Sequence, residues 1–200
     1  MSIKFQYNKT ALQHINKQLK IRERALPTLK NKEAALRVEV KKAKTTAEEF
    51  EEKLQTRLEV YQKAIELWDE FDNELVVIDD VLLSVKKIAG VKTPVLDEVK
   101  FSVKEFSLFN TPGWYLDGIA LVKELALIAI EREVFFQKMQ LLDRARRKTT
   151  QKVNLYEKVQ IPGFQTAILK IKRYLEDEEN LSKAGQKIVK SRIQEMEVSA

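Results

Sequence analysis

The side chains able to do chemistry are few and far apart. His14 is the single histidine in 200 residues, and cysteine is absent. Without a thiol there is no disulfide, no thiolate metal site and no sulfur nucleophile. A zinc site would have to be built mostly from carboxylates. A Ser-His-Asp device would hang on His14, which sits beside the apolar Ile15. Neither G-x-G-x-x-G nor G-x-x-x-x-G-K-S/T occurs, so no Gly-rich loop is available to cradle phosphate. The densest acidic run is Glu176-Asp177-Glu178-Glu179. On a helix only Glu176 and Glu179 share a face, so the run reads as solvated rather than as a cation site. No catalytic residue, metal or cofactor is expected.

The elements that carry these residues say more. Apolar residues recur at alternating steps of three and four: Leu12, Ile15, Leu19, Leu26, Leu29, Leu36, Val40, Ala43, Ala47, Phe50 and Leu54. The ladder continues as Tyr61, Ala64, Trp68, Phe71, Leu75, Ile78, Leu82 and Val85. Of its 22 positions only Arg22, Glu33 and Arg57 are polar. So long a stripe marks a helix that packs on a partner helix along its length. The partner is in the same chain: Leu121, Leu125, Ile128, Phe135, Met139, Leu142, Val153, Tyr156, Phe164, Ile168, Ile171 and Leu175 resume the pattern.

The reading is one elongated, mainly α domain over residues 1–200. An antiparallel two-helix, left-handed coiled coil is expected, with helices over 8–87 and 118–193 and an insert over 88–117. Arms of similar length, each about 120 Å if helical, fold back on one another. Three of the five Gly (Gly90, Gly113, Gly118) and two of the four Pro (Pro94, Pro112) fall between the arms. Within the insert Val99, Phe101 and Val103 alternate with Lys100, Ser102 and Lys104, which reads as a strand. Residues 91–95 are its expected mate, with a turn at 96–98. Asn110-Thr111-Pro112-Gly113 turns the chain into the second arm. Five of the sixteen aromatics lie in 101–115 (Phe101, Phe106, Phe109, Trp114, Tyr115), so the ribbon must rest on the helices or on a partner.

Two prolines interrupt the arms. Pro27 should kink or restart the first helix, and Pro162-Gly163 should bend the second. If equal arms pair so that residue numbers add to about 206, Pro162 lies opposite Ala43 and Lys44, and Glu33 lies near Arg173. The polar ladder residues then set register.

Charge is uneven within a net +6. Residues 1–44 carry twelve Lys/Arg against three acids, 45–90 carry five against twelve, and 141–200 carry thirteen against eight. Folding back brings both basic stretches to the end that holds the termini. Such an end suits an acidic partner or phosphate. Arg144, Arg146, Arg147 and Lys148 match no nucleic-acid-binding motif, so nucleic acid is not expected. The chain starts without the apolar stretch of a signal peptide, and its most apolar run, 125–130, is far too short to span a bilayer. A soluble, cytoplasmic protein without membrane insertion is expected.

Two blocks resemble the D subunit of the V-type and A-type rotary ATPases. Asn8-Lys9, Leu12, Leu19, Leu26, Leu29-Lys30-Asn31-Lys32 and Leu36 are similar to that family's N-terminal N-K-…-L-L-K-x-K-…-L run. Lys152-Val153-Asn154-Leu155-Tyr156-Glu157, Ile161-Pro162, Ile168, Ile171 and Leu175-Glu176 resemble its R-V/T-N-A-L-E-x-x-x-I-P block. The departures are Lys152 for Arg, Leu155-Tyr156 for Ala-Leu, Gly163-Phe164 after the proline, and Pro27. The resemblance implies a central rotor stalk without catalytic residues, transmitting torque between the A/B hexamer and the ion-translocating membrane ring. Its implied partners are the catalytic A and the B subunits, the F subunit, and the C/d-type subunit that couples to the ring. It also implies contact or bend roles for Lys30, Lys32, Lys152, Asn154, Glu157, Ile161 and Pro162. The alternative from another class is a stand-alone coiled-coil tether or membrane-binding structural protein.

Overall fold

The fold is that of a computed structural model, which describes residues 4–62, 71–72, 74–106 and 112–198. Helix α1 (Lys9–Gln62) is followed by strands β1 (Val76–Ile88) and β2 (Val91–Val103), then helix α2 (Tyr115–Asn154). A six-residue π-turn (Leu155–Gln160) leads into helix α3 (Ile161–Val198). The chain is thus mainly helical, with two long helical arms and a two-stranded antiparallel hairpin between them. It divides into two compact units, one of Met1–Asn31 with Thr149–Ala200 and one of Lys32–Lys148.

In the first unit, α1 starts at a cap. The Asn8 carboxamide oxygen accepts from the Ala11 amide at 2.6 Å, satisfying a donor that the first turn leaves free. Ile15 is buried with Phe164, Ala167, Ile168 and Ile171, flanked by Phe5, Leu12, Leu19 and Leu175. Tyr7 packs on Tyr174, with ring centroids 4.9 Å apart. Low numbers meet high ones and rising numbers meet falling ones, so the helices run antiparallel. Burying each large aliphatic side chain of this seam contributes about 1.5–3 kcal/mol.

In the second unit, Leu36, Ala43 and Leu142 form a core with Val40, Met139 and Ala145. Phe50 stacks on Phe135 at 5.5 Å, and Arg57 and Arg132 reach across to Glu124 and Glu51. These contacts revise the equal-arm register. Ala43 meets Leu142, well before Pro162; Glu33 accepts from Arg37 at 2.9 Å, and Tyr174, next to Arg173, lies on Tyr7.

The reason is the length of α1. The expected helix over 8–87 does not reach its end, because residues 76–88 form β1 and belong with the insert. Leu75, Ile78, Leu82 and Val85 satisfy helical spacing, yet the stretch is crowded with Val76, Val77, Ile78, Val81, Val85 and Ile88. Branched side chains lose freedom in a helix and pack well on a pleated surface, and here that preference wins. Ala64, Trp68, Phe109, Asn110 and Thr111, also part of the expected pattern, lie outside the described residues.

The ribbon is correspondingly longer than expected. β2 runs unbroken through 96–98, and its mate is β1, not 91–95. The turn is Ala89-Gly90, with φ of 48° and 79°. Two left-handed residues suit the right-handed twist of a hairpin. The two ends of the ribbon rest on helices. At its base Phe71 and Leu75 are buried with Tyr115 and Ile119, joined by Val76, Phe106 and Trp114. A Cβ at Gly118 would stand 3.0 Å from the Phe71 ring and 3.3 Å from that of Trp114, so a side chain there would press on both rings. At its tip Ile88 and Val91 pack on the Leu36–Leu142 core.

Candidate functional site

The seven residues singled out by sequence fall into two places. Lys30, Lys152, Asn154, Glu157, Ile161 and Pro162 belong to the first unit, around the π-turn, whereas Lys32 belongs to the second. Lys30 and Glu157 meet: the ammonium lies 2.6 Å from the carboxylate, joining α1 to the π-turn. Both side chains are about half exposed, so the pair fixes alignment more than it stabilises. Lys152 and Asn154 close α2 on its exposed side, and Ile161 and Pro162 open α3. Lys32 is placed within its own unit. Its Nζ lies 3.6 Å from where a Cβ at Gly90 would be, over the tip of the ribbon.

The π-turn has a local cause. Pro162 has no amide hydrogen, and its ring presses on the carbonyl four residues back, that of Lys158. Widening the turn by one residue relieves that crowding without ending the helix, and such bulges recur at functional positions. Pro27 lies inside α1, which neither stops nor restarts there. Its neighbours Arg22 and Lys30 hold Gln160 and Glu157. The two prolines therefore share one neighbourhood instead of marking two separate levels.

Arg22 is the centre of this node. Its Nε donates to the Gln160 carboxamide at 2.5 Å, and another guanidinium nitrogen donates to the Gln18 backbone carbonyl at 3.0 Å. The guanidinium lies 4.7 Å from the Phe164 ring centroid and 5.8 Å from that of Tyr156. A planar cation that stacks on rings while hydrogen-bonding at its edge is a task for arginine rather than lysine. The polar ladder residue thus reads the turn opposite it, as Arg57 reads Glu124 at 3.0 Å.

Gln160 and the turn itself were not anticipated, although the sequence carries a signal for them. In the second arm Tyr156 is followed by Phe164, a step of eight where a sustained ladder takes seven. One extra residue is what a π-turn absorbs.

His14 is exposed on α1. Among the described residues no group of three His, Cys, Asp or Glu side chains could hold a metal ion. Glu179 pairs with Lys183 at 2.8 Å within its own helix. Beyond Leu175, the residues of α3 through Met196 are all exposed, including Leu181, Ile188, Val189 and Ile193. No helix is long and apolar enough to cross a membrane, among the described residues. What the arrangement can do is bind: an antiparallel helical seam with a pinned bulge, and a helix running on past its partner with apolar side chains uncovered.

A model of the family described as the ATP synthase D subunit matches residues 11–191. The chain is 32% identical to the V-type ATP synthase D subunit of Chlamydia muridarum over 200 residues, 98% of each chain. It is 32% identical to that of Borreliella burgdorferi over 191 residues, 94% of each, and 30% identical to that of Chlamydia caviae over 202 residues, 98% of this chain and 96% of that one.

Proposed function

The chain belongs to the ATP synthase D-subunit family, and on that premise we propose that it is the central-stalk rotor of a V/A-type ATPase. It takes no part in bond making. It carries torque between an A/B hexamer, where ATP is hydrolysed or made, and the ion-translocating ring. Its partners are the A and B subunits, the F subunit, and the C/d-type subunit above the ring, and its place is cytoplasmic and peripheral to the membrane.

The observation that carries this reading is likeness from end to end: the relatives are matched over 94–98% of their own length. In this reading the end that holds the termini enters the hexamer, and the uncovered half of α3 supports that orientation. Leu181 and Met196 are 74% and 63% exposed, so apolar surface is left for another protein to cover. The basic stretches and the pinned π-turn suit a part gripped by others. A pinned, asymmetric axle touches three equivalent sites differently, so it holds them in different states, and by linkage each site's state biases the axle.

Capture from the native host with tagged chain, followed by mass spectrometry, tests this. ATPase subunits should be recovered together with a small partner near one-to-one. Recovery of the chain as a homodimer that binds anionic liposomes, with every ATPase component missing, would favour the tether. Removing residues 180–200 should uncouple hydrolysis from ion movement while leaving the ribbon's contacts intact; unchanged coupling would reverse the orientation.

A further inference from the structure

The second unit carries a positive collar that no single segment of sequence displays. Ile88 and Val91 at the ribbon tip pack on Leu36, Ala43 and Leu142, so three stretches meet at one level: 32–42 of α1, the tip 86–92, and 142–148 of α2. Together they hold eleven Lys/Arg against three Asp/Glu, while the rest of Lys32–Lys148 holds nine against nineteen. The expectation that basic charge gathers at the terminal end therefore misses this concentration. The lysines of the tip join it only because the chain folds back.

The three acids of the collar are already engaged. Asp143 accepts from Arg146 and Arg147, Glu33 from Arg37 and Glu39 from Lys42. Lys32, Lys86, Lys87, Lys92, Arg144 and Lys148 make no ion pair among the described residues. Lys87 and Lys92 are moreover direct cross-strand partners, an arrangement that costs stability unless an anion answers it. Side chains alternate along a strand, so with Ile88 and Val91 turned to the helices, Lys87 and Lys92 face away from them.

We propose that this collar docks an acidic protein surface that surrounds it, within the assembly the chain joins as a stalk component. The proposal rests on that reading and deepens it. Direction decides the kind of partner. Arg144, Arg147 and Lys148 share the exposed face of α2 away from buried Leu142, whereas Lys87 and Lys92 lie on the outer face of the ribbon that covers the Leu142 side. A flat membrane meets one of these faces at a time. A carboxylate-lined opening meets both.

The test is the affinity of the full chain for the A/B hexamer at low and high salt. Lys87→Gln/Lys92→Gln should raise Kd about fivefold at about 50 mM salt, the gap closing at about 500 mM as screening removes the attraction. Lys53→Gln/Lys100→Gln removes the same charge elsewhere in the unit and should stay within about twofold. The tip variant should melt no lower than the parent, since a like-charge pair has been relieved. Equal losses in both variants would leave only net charge and overturn the collar. Undiminished capture of the tip variant would overturn the collar and leave the stalk reading standing, whereas no capture of any protein would remove the stalk reading itself. Binding of phosphatidylserine vesicles that the tip substitutions abolish, with hexamer capture untouched, would assign the collar to a membrane.

Discussion

Helix α3 has two halves that both carry apolar side chains at helical spacing and meet different fates. In the first, Phe164, Ala167, Ile168 and Ile171 are buried against α1, Ile171 completely. In the second, from Glu176 to Met196, every residue is exposed, although Leu181, Ile188, Val189 and Ile193 recur at helical spacing. The change falls near the start of α1, where Tyr7 packs on Tyr174 and Phe5 on the cluster of Ile15 and Ile171. Apolar spacing states that a face will be covered. It does not state by which chain.

The sharpest way to break that contrast is one substitution made in each half. Ile171→Ala opens a cavity in a closed seam and should cost about 2–5 kcal/mol in urea denaturation. Ile188→Ala, at a residue 55% exposed, opens no buried seam and should stay within about 0.5 kcal/mol, while weakening capture of the hexamer. If both variants of the isolated chain lost stability alike, the second half would be packed in solution against another copy, and the contrast would vanish.

How much of this was legible follows from the range of each interaction. The seam was, because Ile15, Leu36, Leu142 and Ile171 repeat a local rule that the fold obeys. The ribbon was half legible. Val99, Phe101 and Val103 alternate plainly, whereas Leu75 to Val85 fits two periods at once, and only pairing with β2 decides between them. Register was hidden for the same reason, since it depends on where α1 ends. The site divides likewise. The resemblance singled out Lys30 and Glu157 one by one, as contact or bend residues, and said nothing of their pairing, while Arg22's hold on Gln160 depends on a one-residue widening seen in the sequence only as a step of eight. The collar was not legible at all, because Lys87 and Lys92 reach it by folding.

A smaller effect separates packing from pinning within the paired half. Arg22→Met keeps an apolar stem beside Phe164 but loses the hydrogen bond to Gln160 and the charge over the rings. It should cost about 1–2 kcal/mol. Hydrogen exchange should quicken at the π-turn and leave Ile168 and Ile171 protected. Equal quickening along the whole seam would mean that Arg22 supports the packing itself rather than the turn.

The smallest effect concerns the uncovered half, whose helix must rest on local interactions. Glu179 is held below the usual carboxylate range, chiefly by the hydrogen bond from Lys183, then by the charge of Lys183 and of Lys9, with burial opposing. A carboxyl whose pKa is lower in the folded chain contributes stability above its unfolded value of 4.5 and loses it as pH falls through the depressed one. Lys183→Gln should therefore lower helix content near neutral pH by a few per cent at most, about one ion pair's share in an exposed helix, as read by circular dichroism. Below the depressed pKa the parent and the variant should coincide, because a protonated Glu179 no longer answers the ammonium. A difference that persisted in acid would assign the loss to the intrinsic preference of glutamine and leave the uncovered half standing on backbone propensity alone.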